Sequence, residues 1–135
     1  MNGGMIISPI TALIEKTAGL SPEAPALLAP GRQPFSYSAL AAQNRCVAED
    51  LRGFGIGPAG RVAVVLPNGP DMAAAFLAIA GCAGCAPLNP NYKRQDFDFY
   101  LSDLHAQAIL VDDAAPEPAL EAARAAGLRI LTLRR

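Results

Sequence analysis

Two cysteines three positions apart, Cys82 and Cys85, stand at a spacing that can support chemistry. A C-x-x-C spacing suits half a zinc knuckle or a dithiol redox pair. A structural zinc asks for four ligands, and Cys46 and His105 are the only further soft donors. A redox pair sits at the start of a helix, where the dipole lowers the thiol pKa. Cys82 and Cys85 fall instead between the end of an apolar helical stretch and the start of a strand, while Cys46 lies mid-helix beside Val47. The pattern predicts that the pair are buried, inert thiols serving as small apolar fillers.

The remaining candidates divide by context. Gly55-Ile-Gly57-Pro-Ala-Gly60 spells G-x-G-x-x-G, but a dinucleotide fingerprint follows a strand and opens a helix. Here a helix precedes, a strand follows and Pro58 removes a backbone donor, so the stretch reads as a helix stop and turn. Pro67-Asn68-Gly69-Pro70 does lie between strand and helix, where backbone N–H groups can bind an anion. Asp71 places negative charge at that point and itself complements the dipole, which favours a structural turn. His105, the only histidine, follows the last leucine of a helix, where a cation or a left-handed residue is useful. Asp112-Asp113 follow a strand end and are expected to cap the next helix. Lys93-Arg94 is a small basic pair in a loop, read as solvated charge or as a phosphate contact.

The elements that must position these residues follow from periodicity. Ser8-Pro9 opens a helix that runs to Gly19. Ala26 to Ala29 and Gln33 to Tyr37 are short strands joined at Pro30-Gly31-Arg32, a hairpin signal. Ser36 or Ser38 caps a helix with Leu40, Val47, Leu51 and Phe54 on one face and Gly55 as its stop. Arg61 to Leu66, RVAVVL, is a β-branched run suited to a strand covered on both faces. Asp71 to Ala83 reads as a helix apolar on all sides and therefore buried. Cys85 to Leu88, Ala108 to Val111 and Arg129 to Leu133 are further strands. Asp96 to Leu104 and Pro118 to Ala126 are the intervening helices, and Arg134-Arg135 follow the last strand. Alternation of this kind predicts an α/β fold, a mostly parallel sheet flanked by helices with an N-terminal β-hairpin.

A chain of 135 residues, 52% apolar and 17% charged, fits one domain with a filled core. Its net charge of −1 is scattered without a basic stripe, which excludes nucleic-acid binding on electrostatic grounds. Met72 to Tyr92 carries no charge, but its Ala/Gly content and Pro87 and Pro90 argue against a transmembrane segment. Three cysteines form no even disulfide framework, and the N-terminus has no positive charge before Lys16. A cytoplasmic location without a signal peptide is expected.

Residues 34–113 resemble the N-terminal part of the adenylate-forming, AMP-binding acyl-CoA synthetases. The resemblance rests on Phe35-Ser-Tyr-Ser-Ala-Leu40, Asn44-Arg45, Gly55-Ile-Gly57, Arg61-Val-Ala-Val, Leu66-Pro-Asn68 and Ala80-Gly-Cys-Ala-Gly-Cys-Ala-Pro-Leu-Asn-Pro90, in that order. Such enzymes join a carboxylate to ATP as an acyl-adenylate and pass the acyl group to a thiol, usually coenzyme A. The resemblance implies ATP, Mg, CoA and an organic acid for a full-length family member. It also implies a partial N-terminal lobe of an acyl-CoA synthetase-like fold. The family's Ser/Thr/Gly-rich phosphate loop followed by Lys does not occur here, nor does its C-terminal domain. The expectation is an incomplete N-terminal domain over residues 1–135 that is inactive by itself and binds none of these ligands well. The alternative is a non-enzymatic α/β binding or interaction domain derived from such a lobe. In some CoA ligases a basic residue just after the Asn-Pro element meets the nucleotide part of CoA. That position is Asn91 here, followed by Lys93 and Arg94. A sheet with an open edge is also expected to self-associate through exposed apolar surface.

Overall fold

The computed structural model describes residues 8–133. The first seven residues and Arg134-Arg135 lie outside the described residues. Helix α1, Pro9–Leu20, starts where Ser8 Oγ accepts the Thr11 N–H at 3.1 Å. Strands β1, Pro25–Leu27, and β2, Phe35–Ser36, pair antiparallel and are shorter than the hydrophobic pattern predicts. Pro30 and Pro34 withhold ladder donors, so the turn at Ala29–Arg32, with Gly31 at φ +72°, stands clear of the strands. Of the two serines offered as caps, Ser36 performs the role: its Oγ accepts the Ala39 N–H at 3.2 Å. Helix α2, Tyr37–Gly53, begins there and stops at Gly55, whose φ of +77° is costly for other residues.

Four parallel strands follow: β3, Arg61–Val64; β4, Gly84–Pro87; β5, Ala108–Val111; and β6, Arg129–Thr132, in the order β4-β3-β5-β6. Alternate residues serve opposite faces. Val62, Val64, Ala108 and Leu110 pack with Leu51 of α2 and with Ala75 and Ile79 of α3, Pro70–Ala80. Ala63, Val65, Ile109 and Val111 pack on the other face. There they meet Phe97 and Leu101 of α4, Arg94–Asp103, and Ala119, Ala122 and Ala123 of α5, Glu117–Ala125. A third cluster joins α1, α2 and α3 through Ile14, Leu40, Ala41 and Ala74, with Leu27 and Phe35 of the hairpin against it. Among the described residues no helix is long and apolar enough to cross a membrane.

Two expectations need correction. Helix α3 is not buried all round: Ala74, Ala75, Ala78 and Ile79 are, but Phe76 on the opposite side is 40% exposed. Neighbours cover one side of this helix, so an apolar composition does not ensure burial. Asp112-Asp113 do not cap α5, whose N-cap is Pro116. Asp112 Oδ1 instead accepts the Ala114 N–H at 3.0 Å, forming a local turn ahead of the helix. Gly81 and Gly84 flank the joint between α3 and β4. Gly81 has φ −72°. What it provides is space, because a Cβ there would overlap the Thr11 hydroxyl of α1. At Gly84 a Cβ would lie 3.3 Å from both Arg61 Cγ and the Gly60 carbonyl.

Gly81→Ala should therefore lower unfolding stability by about 1–3 kcal/mol. Adding Thr11→Ala should recover most of the loss. Additive losses in a denaturant double-mutant cycle would show that the two positions do not meet.

Candidate functional site

In parallel α/β sheets ligands bind at the carboxyl ends of the strands. Here that edge carries the loops after β3, β4 and β5. The loop after β3 ends at Gly69, with φ +153°, and Pro70 begins α3. Asp71 lies in the first turn of α3, and Arg32 from the hairpin meets both its oxygens at 3.4 Å. A carboxylate already complements this helix start, so its charge is wrong for a phosphate. At the opposite edge, Gly55–Gly60 is a turn, closed by the Gly60 N–H to the Gly57 carbonyl at 2.8 Å. It binds no strand end to a helix start and lacks the fingerprint geometry, as its context implies.

The loop after β4 holds the basic candidates. Leu88 N–H still reaches the Val64 carbonyl at 2.8 Å, and the chain then turns. Asn89 Oδ1 accepts the Asn91 N–H at 2.9 Å, and the Asn89 carbonyl accepts the Tyr92 N–H at 3.2 Å. Tyr92 anchors the turn, stacked on Tyr100 at 5.2 Å between centroids and edge-on to Phe97 at 5.8 Å. A hydrogen bond with Tyr100 raises the Tyr92 phenol pKa. Lys93 is the N-cap of α4, where a cation opposes the dipole. Asp96 in the first turn offsets this and accepts the Lys93 backbone N–H at 3.1 Å.

The two bases differ in their surroundings. Arg94 Nε donates to Asp98 at 3.0 Å and Nη1 to Glu121 of α5 at 3.1 Å. Its guanidinium thus ties α4 to α5. Lys93 and Asn91 are exposed, and the Lys93 ammonium makes no ion pair among the described residues. The loop therefore brings Asn91 and Lys93 to solvent together and keeps Arg94 engaged.

A cleft of about 450 Å³, absent from every motif, lies under the hairpin. Arg32, Gln33, Gln43, Asp71 and Leu133 line it, among others. These residues come from distant segments, and no local periodicity marks them. Asn44, one position along α2, is 5% exposed, and neither of its amide atoms has a hydrogen-bond partner among the described residues.

Among the described residues no group of three or more His, Cys, Asp or Glu side chains is placed to hold a metal ion. Cys82 and Cys85 are half-buried, whereas Cys46 is exposed. Cys82 Sγ donates to the Ala78 and Ile79 carbonyls at 3.5 and 3.6 Å. Burial raises its pKa, against a smaller lowering by Arg52. Burial, and secondarily Cys82, pushes the Cys85 thiol from 9.0 up to about 11. His105 has φ +53° and ends α4 as a left-handed residue, with Nδ1 3.2 Å from the Asp103 carbonyl oxygen.

Thiol titration at pH 8 should show a fast phase that Cys46→Ser removes, with Cys82 and Cys85 slower by about tenfold or more. The unfolded Cys85 thiol ionises near 9 and the folded one near 11. Stability should thus fall as pH rises through that window, and Cys85→Ala should make the fall shallower. Equal reactivity of all three thiols would contradict this environment.

Residues 14–133 match the AMP-binding enzyme family. The chain is 32% identical over 122 residues to a probable CoA ligase, CCL9, of Humulus lupulus, covering 90% of this chain and 22% of that protein. It is 32% identical over 120 residues to an oxalate–CoA ligase of Arabidopsis thaliana, covering 84% and 23%. It thus spans less than a quarter of the length of either relative. Among solved structures, the N-terminal domain of FACL13 from Mycobacterium tuberculosis superposes with a TM-score of 0.78 at 23% identity, over 92% of this chain and 33% of that one. The parallel sheet, its two helical layers and the antiparallel hairpin are those of the N-terminal domain of acyl-CoA synthetases, and the chain belongs to the AMP-binding enzyme family.

Proposed function

We propose that the chain is the N-terminal part of an ATP-dependent carboxylic acid–CoA ligase. The observation that carries this reading is the match to AMP-binding enzymes across residues 14–133, joined to relatives described as CoA ligases. The complete enzyme would form an acyl-adenylate and pyrophosphate from an organic acid and Mg-ATP. The CoA thiol would then attack the acyl carbonyl and release AMP.

Within that enzyme this chain contributes surface and scaffold. No Ser/Thr/Gly-rich loop followed by Lys occurs in residues 1–135. The loop at 67–70 leads into Asp71, paired with Arg32, and does not fit a polyphosphate. Without a phosphate cradle, attack on ATP lacks its main electrostatic stabilisation, so residues 1–135 are an incomplete domain that is inactive alone. Lys93, with Asn91 beside it, is the contact proposed for the nucleotide part of CoA. Arg94 would join only by leaving Asp98 and Glu121. Three cysteines without a disulfide suit a reducing compartment, and the cytoplasm is the proposed location. The second reading, a non-enzymatic α/β binding domain, is favoured by the closed core on both sheet faces.

Calorimetric titration of the chain should show no ATP binding with a Kd at or below about 1 mM. Adenylate formation by the chain alone would overturn the inactive assignment. In the full-length ligase, Lys93→Glu should raise the KM for CoA several-fold and leave that for ATP unchanged. Arg94→Glu should chiefly lower stability. Equal effects of Lys93→Glu on both substrates would reject the CoA contact.

A further inference from the structure

The asparagines among the described residues are Asn44, Asn68, Asn89 and Asn91. An asparagine side chain carries an electrophilic amide carbon, and the backbone nitrogen of the following residue is its nearest nucleophile. Whether that nitrogen is available differs at each position. Asn44 lies inside α2, where the helical ladder holds the next N–H. Asn89 precedes Pro90, which has no N–H to give up. Asn91 precedes Tyr92, whose N–H is donated to the Asn89 carbonyl at 3.2 Å. Asn68 precedes Gly69, and both are exposed in the loop between β3 and α3. Among the described residues the Gly69 N–H donates to no acceptor, and the Asn68 amide has no partner. Glycine has no side chain to screen its nitrogen, and a Cβ at position 69 would meet nothing within 4 Å.

We propose that Asn68-Gly69 is a self-modifying site that makes the loop ahead of α3 acidic. The Gly69 nitrogen attacks the Asn68 side-chain carbonyl carbon. A C–N bond forms to Gly69 and the bond to the amide nitrogen breaks. Ammonia leaves with the proton lost from Gly69, and a five-membered succinimide remains. Water then opens this ring. Opening at the side-chain carbonyl leaves aspartate, and opening at the main-chain carbonyl leaves isoaspartate. No oxidant, cofactor or partner is required. Both reacting groups belong to adjacent residues, so the step needs no other segment of sequence. Either product places a carboxylate just before Gly69, the N-cap of α3, where it complements the helix dipole. It joins Asp71 there, and the helix start becomes still less suited to phosphate. The reading stands apart from any ligase activity.

The protein, folded and at its full expressed length, is to be held at mildly alkaline pH and then mapped by tandem mass spectrometry. Site resolution matters because Asn2-Gly3, outside the described residues, has the same sequence. The tryptic peptide 62–93 should gain the mass of an amide-to-acid exchange at position 68 and keep Asn89 and Asn91 intact. Isoaspartate should appear beside aspartate. Heavy-oxygen water, present only during incubation, should leave one labelled atom in each product, which excludes conversion during digestion. The rate should lie within about tenfold of that of a synthetic peptide 66–72, because exposed loops open at little free-energy cost. Asn68→Ser should remove the acidic species that arises from this loop. Position 68 still intact after the synthetic peptide has converted overturns the proposal, as does conversion at Asn91 ahead of Asn68. Aspartate without isoaspartate would mean direct hydrolysis and rejects the cyclisation.

Discussion

The burial of β3 on both faces is the constraint from which the rest of this structure follows. Val62 to Leu66 are at most 1% exposed. A strand with no solvent face must be covered twice, and parallel neighbours require crossover helices that do the covering. Val62 and Val64 call for α2 and α3, while Ala63 and Val65 call for α4 and α5. Each of those side chains contributes about 1.5–3 kcal/mol if large and apolar, less for Ala63. A register slip of one residue would exchange the two sets between faces. The loops at the carboxyl ends of the strands inherit their positions from this arrangement.

Much of that was legible in the sequence because the determinants are local or periodic. RVAVVL announces a doubly covered strand, and Phe97, Tyr100, Leu101 and Leu104 announce a helix face. Gly55 and Gly127 stop helices with positive φ, where only glycine is comfortable. The failures are non-local. Phe76 lies on a helix that looks fit for complete burial, and only the arrangement of its neighbours shows which side stays wet. The need for glycine at 81 has no local signature, because the Thr11 hydroxyl seventy positions earlier imposes it. The cleft bounded by Arg32, Gln43 and Leu133 joins segments that share no pattern.

The same distinction runs through the basic loop. Lys93 and Arg94 are indistinguishable in sequence as a pair of cations. Helical geometry separates them: Arg94, in the first turn, lies four residues from Asp98 and within reach of Glu121 across the groove between α4 and α5. Lys93, still extended at φ −79° and ψ 164°, remains outside. Exposed ion pairs contribute little stability singly, but a shared guanidinium fixes the orientation of α4 relative to α5. With Tyr92 stacked on Tyr100, the loop is held from both ends while its cation stays in water.

A rigid scaffold and a catalytic site place different demands on a chain. The scaffold needs apolar periodicity, tight turns and room at Gly81, and these residues meet those demands over 8–133. Adenylation needs donors directed at a developing phosphate charge in a water-poor site. The loop between β3 and α3 leads into Asp71 and is held by Arg32. That ion pair adds a polar contact to the packing of Leu27 and Phe35 of the hairpin near Ala74 of α3. A phosphate cradle at this helix start would require removing the Asp71 carboxylate. At this loop the charged residues thus serve packing of the hairpin on α3, while the cation of Lys93, one loop further on, stays in solvent.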